Sequence, residues 1–290
     1  MSKCWGIDVS KYQSGKVDYV KLKAAGATFV FIRIGCNKTK DPYFEIDYSA
    51  AVAAGLKVGV YFATYSTDNN GAVADATRVL GWLADRHLDY PVAYDVEVDK
   101  QRSTSRRTAN SNMYNVFAKK IEAGGVYDAM LYTGEYFYNN YFDKTLLTDD
   151  LWIARYSSKE PFVGRQISIW QFTSDYVDAP YYKGKLDRNY QLVDKFQGSR
   201  TPAEIVSNNP YPVPTRLLKR TYPFMQTGND VKWLQWELWK AGYLKIYDID
   251  GKFGNKTLEA VKAYQTAHGL LVDGKVGSAT RYEMQHDVAA

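Results

Sequence analysis

The sequence predicts an α/β fold, an eight-stranded β/α barrel of irregular TIM-like type with about five outer helices, followed by a small all-α C-terminal domain. Three observations carry this expectation. Short runs rich in Val, Ile, Tyr or Phe recur eight times within the first 190 residues, helix-like stretches separate the earlier ones, and the composition turns proline-rich after Gln197 before a helical period resumes. Strands that alternate with helices pair in parallel, and eight of them imply closure. A chain of 290 residues also exceeds the usual domain of about 100–150, which favours one large unit and one small one.

Taken in order, the strand candidates are "CWGIDVS", "TFVFIRIG", "KVGVYFAT", "PVAYDVE", "AMLYTG", "LWIARY", "ISIWQF" and "KLDRNY". Between the first four, "VDYVKLKAAG", "DYSAAVAAG" and "AVADATRVLGWLADRH" read as helices, and Gly26 and Gly55 are placed to end the first two. After the fourth strand "TANSNMYNVFAKKIEAGG" reads as another helix, capped by Gly124 or Gly125. The later connections are shorter. Only about ten residues follow "LWIARY", and a similar number follows "ISIWQF", whereas a parallel crossover needs a dozen or more and usually a helix. The last strands are therefore expected to lack proper outer helices.

The barrel is assigned to residues 1–197. Residues 198–216, "GSRTPAEIVSNNPYPVPTR", hold four prolines and no regular period, and read as a stiffened linker. Residues 217–290 then form a three-helix module. Its first helix, "DVKWLQWELWKAGYL", is amphipathic and ends at Gly242. An internal echo follows, because D-G-K-x-G-x-x-T occurs at Asp250 and again at Asp273. Each Asp-Gly makes a turn, and Thr257 or Thr280 opens a helix.

Composition limits the chemistry. With 46% hydrophobic and 24% charged residues the chain can bury a full core, and no apolar run approaches the roughly 20 residues of a membrane helix. The start, "MSKCWGIDVSKYQ", lacks the apolar region of a signal peptide, so synthesis in the cytoplasm and action after release are expected. Cys4 and Cys36 fall at opposite ends of neighbouring strands and are expected as free thiols. His87, His268 and His286 are scattered, with no HExxH and no GxSxG, so no metal, no cofactor and no His-based nucleophile is expected. The formal charge is +5, and from Tyr211 onward eleven Lys and Arg stand against eight Asp and Glu. That suits an anionic polymer, although a solvated surface would look the same. Twenty-five Tyr and seven Trp suit sugar stacking, while nucleic acid would bring denser basic patches. A monomer is the default.

Acid chemistry then falls to carboxylates. In a strand, residues two apart share a face. Ala93, Asp95 and Glu97 therefore share one face of the fourth strand, and Val92, Tyr94, Val96 and Val98 the other. A lone D-x-E is commonplace on surfaces, but this one lies among Val and Ala at the strand's C-terminal end, where barrels place their chemistry. Asp8, in "GIDVS", and Asp187, in "KLDRNY", lie on the two strands that closure makes neighbours. Four acids around one opening would raise at least one pKa and keep an acid protonated near neutral pH. Arg33, Tyr61, Tyr132, Trp152, Tyr156, Trp170 and Gln171 are the other inward candidates for binding substrate, with core packing the alternative for each ring. The basic stretch "QRSTSRR" is placed to flank the cleft.

"GIDVSKYQ", "PVAYDVE", "LWIARY", "IWQF" and "KLDRNY" resemble, in order and spacing, the family 25 glycoside hydrolases, which are muramidase-type lysozymes. The resemblance spans residues 3 to 196. The tail resembles the three-helix peptidoglycan-binding module through "LQWELWKAGYL", "DGKFGNKTLEAVKAYQ" and "VDGKVGSAT", and the pair together looks like a phage endolysin. The resemblance implies hydrolysis of the β-1,4 bond between N-acetylmuramic acid and N-acetylglucosamine. It places the family's catalytic Glu on Glu97 and its partner Asp on Asp95, which would polarise the substrate's own 2-acetamido group. Asp8 and Asp187 would hold the sugar or tune Glu97. One departure is Phe62, where relatives often carry His.

Two rivals remain. A chitinase-type barrel would need an acid at position 93, where this chain has Ala93. A non-catalytic glycan-binding barrel would be expected to have lost the acids, and all four are present. An amidase or peptidase lacks metal ligands or a nucleophile pair.

Overall fold

The computed structural model describes residues 4–84, 86–194, 196, 198–199, 209–245 and 248–286, and the chain divides into two units, Met1–Ser199 and Arg200–Ala290. The first unit runs β1 (Trp5–Val9), α1 (Tyr19–Ala24), β2 (Phe29–Cys36), β3 (Thr39–Lys40), α2 (Phe44–Ala53), β4 (Lys57–Ala63), α3 (Asn69–Leu83), β5 (Val92–Asp95), α4 (Arg107–Glu122). It continues with β6 (Ala129–Gly134), α5 (Glu135–Tyr141), β7 (Asp150–Ala154), β8 (Ile169–Thr173), β9 (Tyr176–Ala179), β10 (Tyr182–Lys185) and β11 (Asp187–Gln191). Strands β1-β11-β8-β7-β6-β5-β4-β2 form one sheet, and pairing of β1 with β2 closes it into an eight-stranded barrel.

Alternation along β2 explains what lies inside. Phe29, Phe31 and Arg33 point into the barrel, and Val30, Ile32 and Ile34 point out toward the helices. The inner cluster is Phe29, Phe31, Tyr90, Ala93, Met130, Tyr132, Trp152 and Ile169. It fills the barrel below the mouth. Gly59 makes room for it, since a Cβ there would stand 2.4 Å from the Phe31 ring. Outside, Tyr94 stacks on Phe117 of α4 with ring centroids 3.9 Å apart. The buried face of α4 is Asn110, Ser111, Met113, Tyr114, Phe117, Ala118 and Ile121, whose repeat every three or four residues is that of an amphipathic helix.

All eight strand candidates are strands, but the last runs the other way. β11 is antiparallel to both β1 and β8, while the other neighbours in the barrel pair in parallel. The reason is the connection. After β8 the chain makes the β9–β10 hairpin instead of crossing over, so it never returns to the barrel's far end. β11 therefore starts at the mouth and descends, which leaves Asp187, its first residue, at the opening. The link from β7 to β8 likewise contains no helix. A short helix that the sequence reading did not single out, α5, follows β6 directly and buries Phe137 and Tyr138.

The second unit holds α6 (Asn229–Lys240), α7 (Asn255–Ala267) and α8 (Ser278–His286). The repeated turns use glycine where the sequence placed it, with Gly251 at φ 75 and Gly274 at φ 68. Each turn is read by a buried glutamine. Gln235 Nε2 donates to Asp250 Oδ1 at 2.8 Å and its Oε1 accepts the Gly251 N–H at 2.7 Å. Gln265 does the same with Asp273 at 3.2 Å and Gly274 at 2.9 Å. Thr257 and Thr280 sit in the first turns of α7 and α8 and bond the same two glutamines. Residues 200–208 of the proline-rich segment expected as a linker lie outside the described residues.

Candidate active site

Asp8, Asp95, Glu97 and Asp187 gather at the mouth where β1, β5 and β11 present their ends. Asp8 and Asp187 are direct register partners across β1 and β11. Asp8 is only 5% exposed, and its Oδ2 accepts hydrogen bonds from Gln171 Nε2 and Asn189 Nδ2, each at 2.8 Å. Burial, with the charge of Asp187 second, pushes its carboxyl up to about 8, against the pull of those two donors. Asp187 is pushed up to about 6 by burial. Asp95 closes β5, half-buried, and burial first, then the charges of Glu97 and Asp8, hold it well above the carboxylate range while Arg33 opposes them.

Glu97 lies two residues past the end of β5, and its side chain is exposed at the rim. The protein mass around it still raises its pKa, with Asp187 acting in the same direction and Arg102 against. Exposure to water and enclosure by the cleft coexist there because the side chain reaches into an opening, not onto a convex surface. Four acids whose pKa values all rise form a reservoir of protons, and Glu97 is the most exposed of them.

Four of the inward candidates, Gln171, Tyr132, Tyr156 and Trp152, join Asn189 in one hydrogen-bonded set around Asp8. Trp152 Nε1 donates to Asn189 Oδ1 at 2.8 Å, and Tyr132 and Tyr156 hydroxyls both donate to Gln171 Oε1 at 3.0 Å. Tyr61 meets Trp152 edge-on at 6.0 Å, and Tyr132 meets it at 4.6 Å. Arg33 is fixed by Asp41, with Nε at 2.9 Å and a second guanidinium nitrogen at 2.8 Å from Oδ2. Two expectations need correction. Trp152 is 1% exposed and forms the floor, out of reach of a ligand. Trp170 points out of the barrel, because its neighbour Gln171 points in; its Nε1 bonds the Arg155 carbonyl at 2.8 Å and its ring packs on Phe172 and Tyr190. Phe62 also faces outward, between Trp82 and Tyr94, so that departure does not line the cleft.

Exposed rings of this unit share one location. Among the described residues, Tyr12, Tyr43, Tyr65, Tyr136, Tyr156, Phe162 and Tyr176 all lie on segments that follow the mouth ends of strands. Exposed aromatic surface of this unit thus lies at the same end of the barrel as the acids.

Comparison with known proteins bears on the family and the fold. The profile of the family described as glycosyl hydrolases family 25 matches residues 7–180, more than half of the chain. The chain belongs to glycosyl hydrolase family 25. A second profile, that of a peptidoglycan-binding domain, matches residues 227–284. The autolytic lysozyme of Clostridium acetobutylicum is 28% identical over 278 residues, which are 95% of this chain and 76% of that protein. A muramidase from Trichobolus zukalii is 28% identical with a TM-score of 0.51, covering 66% of this chain and 94% of that structure. A family 25 glycosyl hydrolase from Bacillus anthracis, 22% identical, shares the fold with a TM-score of 0.56 over 67% of this chain and 92% of its own.

In this family 25 chain several residues that shape the site were not individually legible. Asn189 is one, though its signal was present: it lies two positions after Asp187 and therefore on the same inner face. Arg102, within the basic stretch, is the cation that acts on Glu97. Asp75 of α3 is buried behind β5 and accepts from Thr64 at 2.6 Å, Ser66 at 2.8 Å, Tyr94 at 2.9 Å and Arg78 at 2.8 Å. Gln101 is fully buried, accepts the Val98 N–H at 2.9 Å and donates to the Ser66 carbonyl at 2.9 Å. Together these bonds tie the chain on both sides of Glu97 to the β4–α3 loop.

Proposed function

We propose that this family 25 hydrolase is a muramidase that cleaves the β-1,4 bond between N-acetylmuramic acid and N-acetylglucosamine in bacterial peptidoglycan, with Glu97 as general acid and then general base. The observation that carries the reading is the placement of Glu97: exposed at the rim, with a raised pKa, above three acids drawn deeper into the same mouth. A raised pKa favours the protonated form that a general acid needs, and exposure lets the group reach the glycosidic oxygen. Asp95, on the same face of the chain, polarises the 2-acetamido group, whose oxygen attacks the anomeric carbon as Glu97 gives its proton to the departing glucosamine O4. Water then enters, loses a proton to the Glu97 carboxylate, and leaves muramic acid as the new reducing end. Asp8, buried and tied to Gln171 and Asn189, tunes the cluster without touching the sugar, and Asp187 sets the charge beside Glu97. Tyr61, Tyr156 and Arg33 shape the groove, over the buried Tyr132 and Gln171.

The tail holds the enzyme on the wall. An endolysin of phage origin, made in the cytoplasm and acting on the wall after release, is the context that fits an enzyme joined to an anchor. Peptidoglycan digested with the protein and then reduced with borohydride is expected to show new reduced muramic acid ends by mass spectrometry. Reduced glucosamine ends, or new free amino groups, would contradict the assignment.

A further inference from the structure

Residues 217–226 of the tail form a loop whose base is held at both ends. Leu218 pairs with Val276 and Thr227 with Lys252, so the loop spans the two copies of the repeated turn. Side chains then close it. Gln226 accepts the Lys219 N–H at 2.7 Å, donates to the Leu217 carbonyl at 3.1 Å, and through its own carbonyl accepts the Phe253 N–H at 2.9 Å. The Thr221 hydroxyl donates to the Phe224 carbonyl at the tip. On this fastened tip Tyr222 is 90% exposed and Phe224 84% exposed. Folding the tail does not require either ring to be there, and large apolar groups kept in water mark a contact surface.

Charge indicates the occupant. Between Arg216 and Asn229 there is no acidic residue, and Lys219 and Arg220 are exposed beside the rings. We propose that the Tyr222–Phe224 tip is where the tail grips the wall, by stacking on the sugar rings of a glycan strand while Lys219 and Arg220 meet the polymer's carboxylates; this rests on reading the tail as wall-binding. Flat rings match the apolar faces of pyranoses, which repeat along a strand at regular intervals. The loop's hydrogen bonds fix the rings in advance, so little freedom is lost on contact. A peptide stem would call for a strand edge or a charged pocket, and the tip offers neither.

The test uses the full-length chain carrying Glu97→Gln, so that the polymer is not consumed, sedimented with purified peptidoglycan. Tyr222→Ala with Phe224→Ala is expected to weaken retention about tenfold or more, as loss of two stacking rings implies. Tyr222→Phe keeps the ring and should keep retention, and soluble glycan strands freed of peptide should compete with the wall. The double variant should keep the parent's circular dichroism and the parent's melting of the tail, which shows that the tail is folded, and with Glu97 restored it should turn over small soluble muropeptides at the parent rate. Retention of the double variant equal to the parent's, or failure of the peptide-free strands to compete, overturns the proposal and leaves the wall-binding reading intact. Retention of the parent no better on peptidoglycan than on a sugar-free carboxylate resin overturns both.

Discussion

Glu97 sits between two charges of opposite sign, and that makes its role measurable. Asp187 raises its pKa and Arg102 lowers it. A general acid must be protonated, so the alkaline limb of the profile of kcat/KM against pH follows the pKa of Glu97. Asp187→Asn removes a negative neighbour and should move that limb to lower pH; Arg102→Ala removes a positive one and should move it to higher pH. Both limbs moving the same way on a soluble muropeptide would contradict the assignment. At this scale the sequence showed which acids would share the mouth, because a period of two along the chain places Asp95 and Glu97 on one side. It was less informative about rings. Trp170 and Gln171 were both taken as inward, although adjacent strand residues face opposite ways, and Trp152 turned out to be floor.

Elements hold the acids in place, and the hold is concentrated behind β5. Asp75 gathers Thr64, Ser66, Tyr94 and Arg78 onto one buried carboxylate, and the Thr64 N–H donates to the Asp95 carbonyl at 3.1 Å. Asp75→Ala would strand these donors. Unfolding in urea should show a loss of about 2–4 kcal/mol, the usual cost of removing one partner of a buried charged network, with kcat reduced as the end of β5 loosens. A loss below about 0.5 kcal/mol would mean that the network is incidental. The eight barrel strands were legible because β-branched and aromatic residues mark each one. The direction of β11 was not, because the residues that reverse the chain, Tyr176–Lys185, carry no strand signal distinct from a loop. Asp187 reaches the mouth all the same, by starting a descending strand instead of ending an ascending one.

For the whole molecule, the division into a barrel and a helical tail was visible in composition: a proline-rich stretch between two periodic regions. The repeat D-G-K-x-G-x-x-T was visible too, but the glutamines that bind each copy were not, since Gln235 precedes its turn by fifteen residues and Gln265 by eight. In the proposed function cutting falls to the barrel and holding to the tail, so the two should separate in one variant. Glu97→Gln keeps the size of the side chain and removes the transferable proton. Rate on peptidoglycan and retention on the same wall, measured together for Glu97→Gln and the parent, are expected to show turnover lower by about a thousandfold or more with retention unchanged. Turnover within about tenfold of the parent would contradict the central claim that Glu97 delivers the proton.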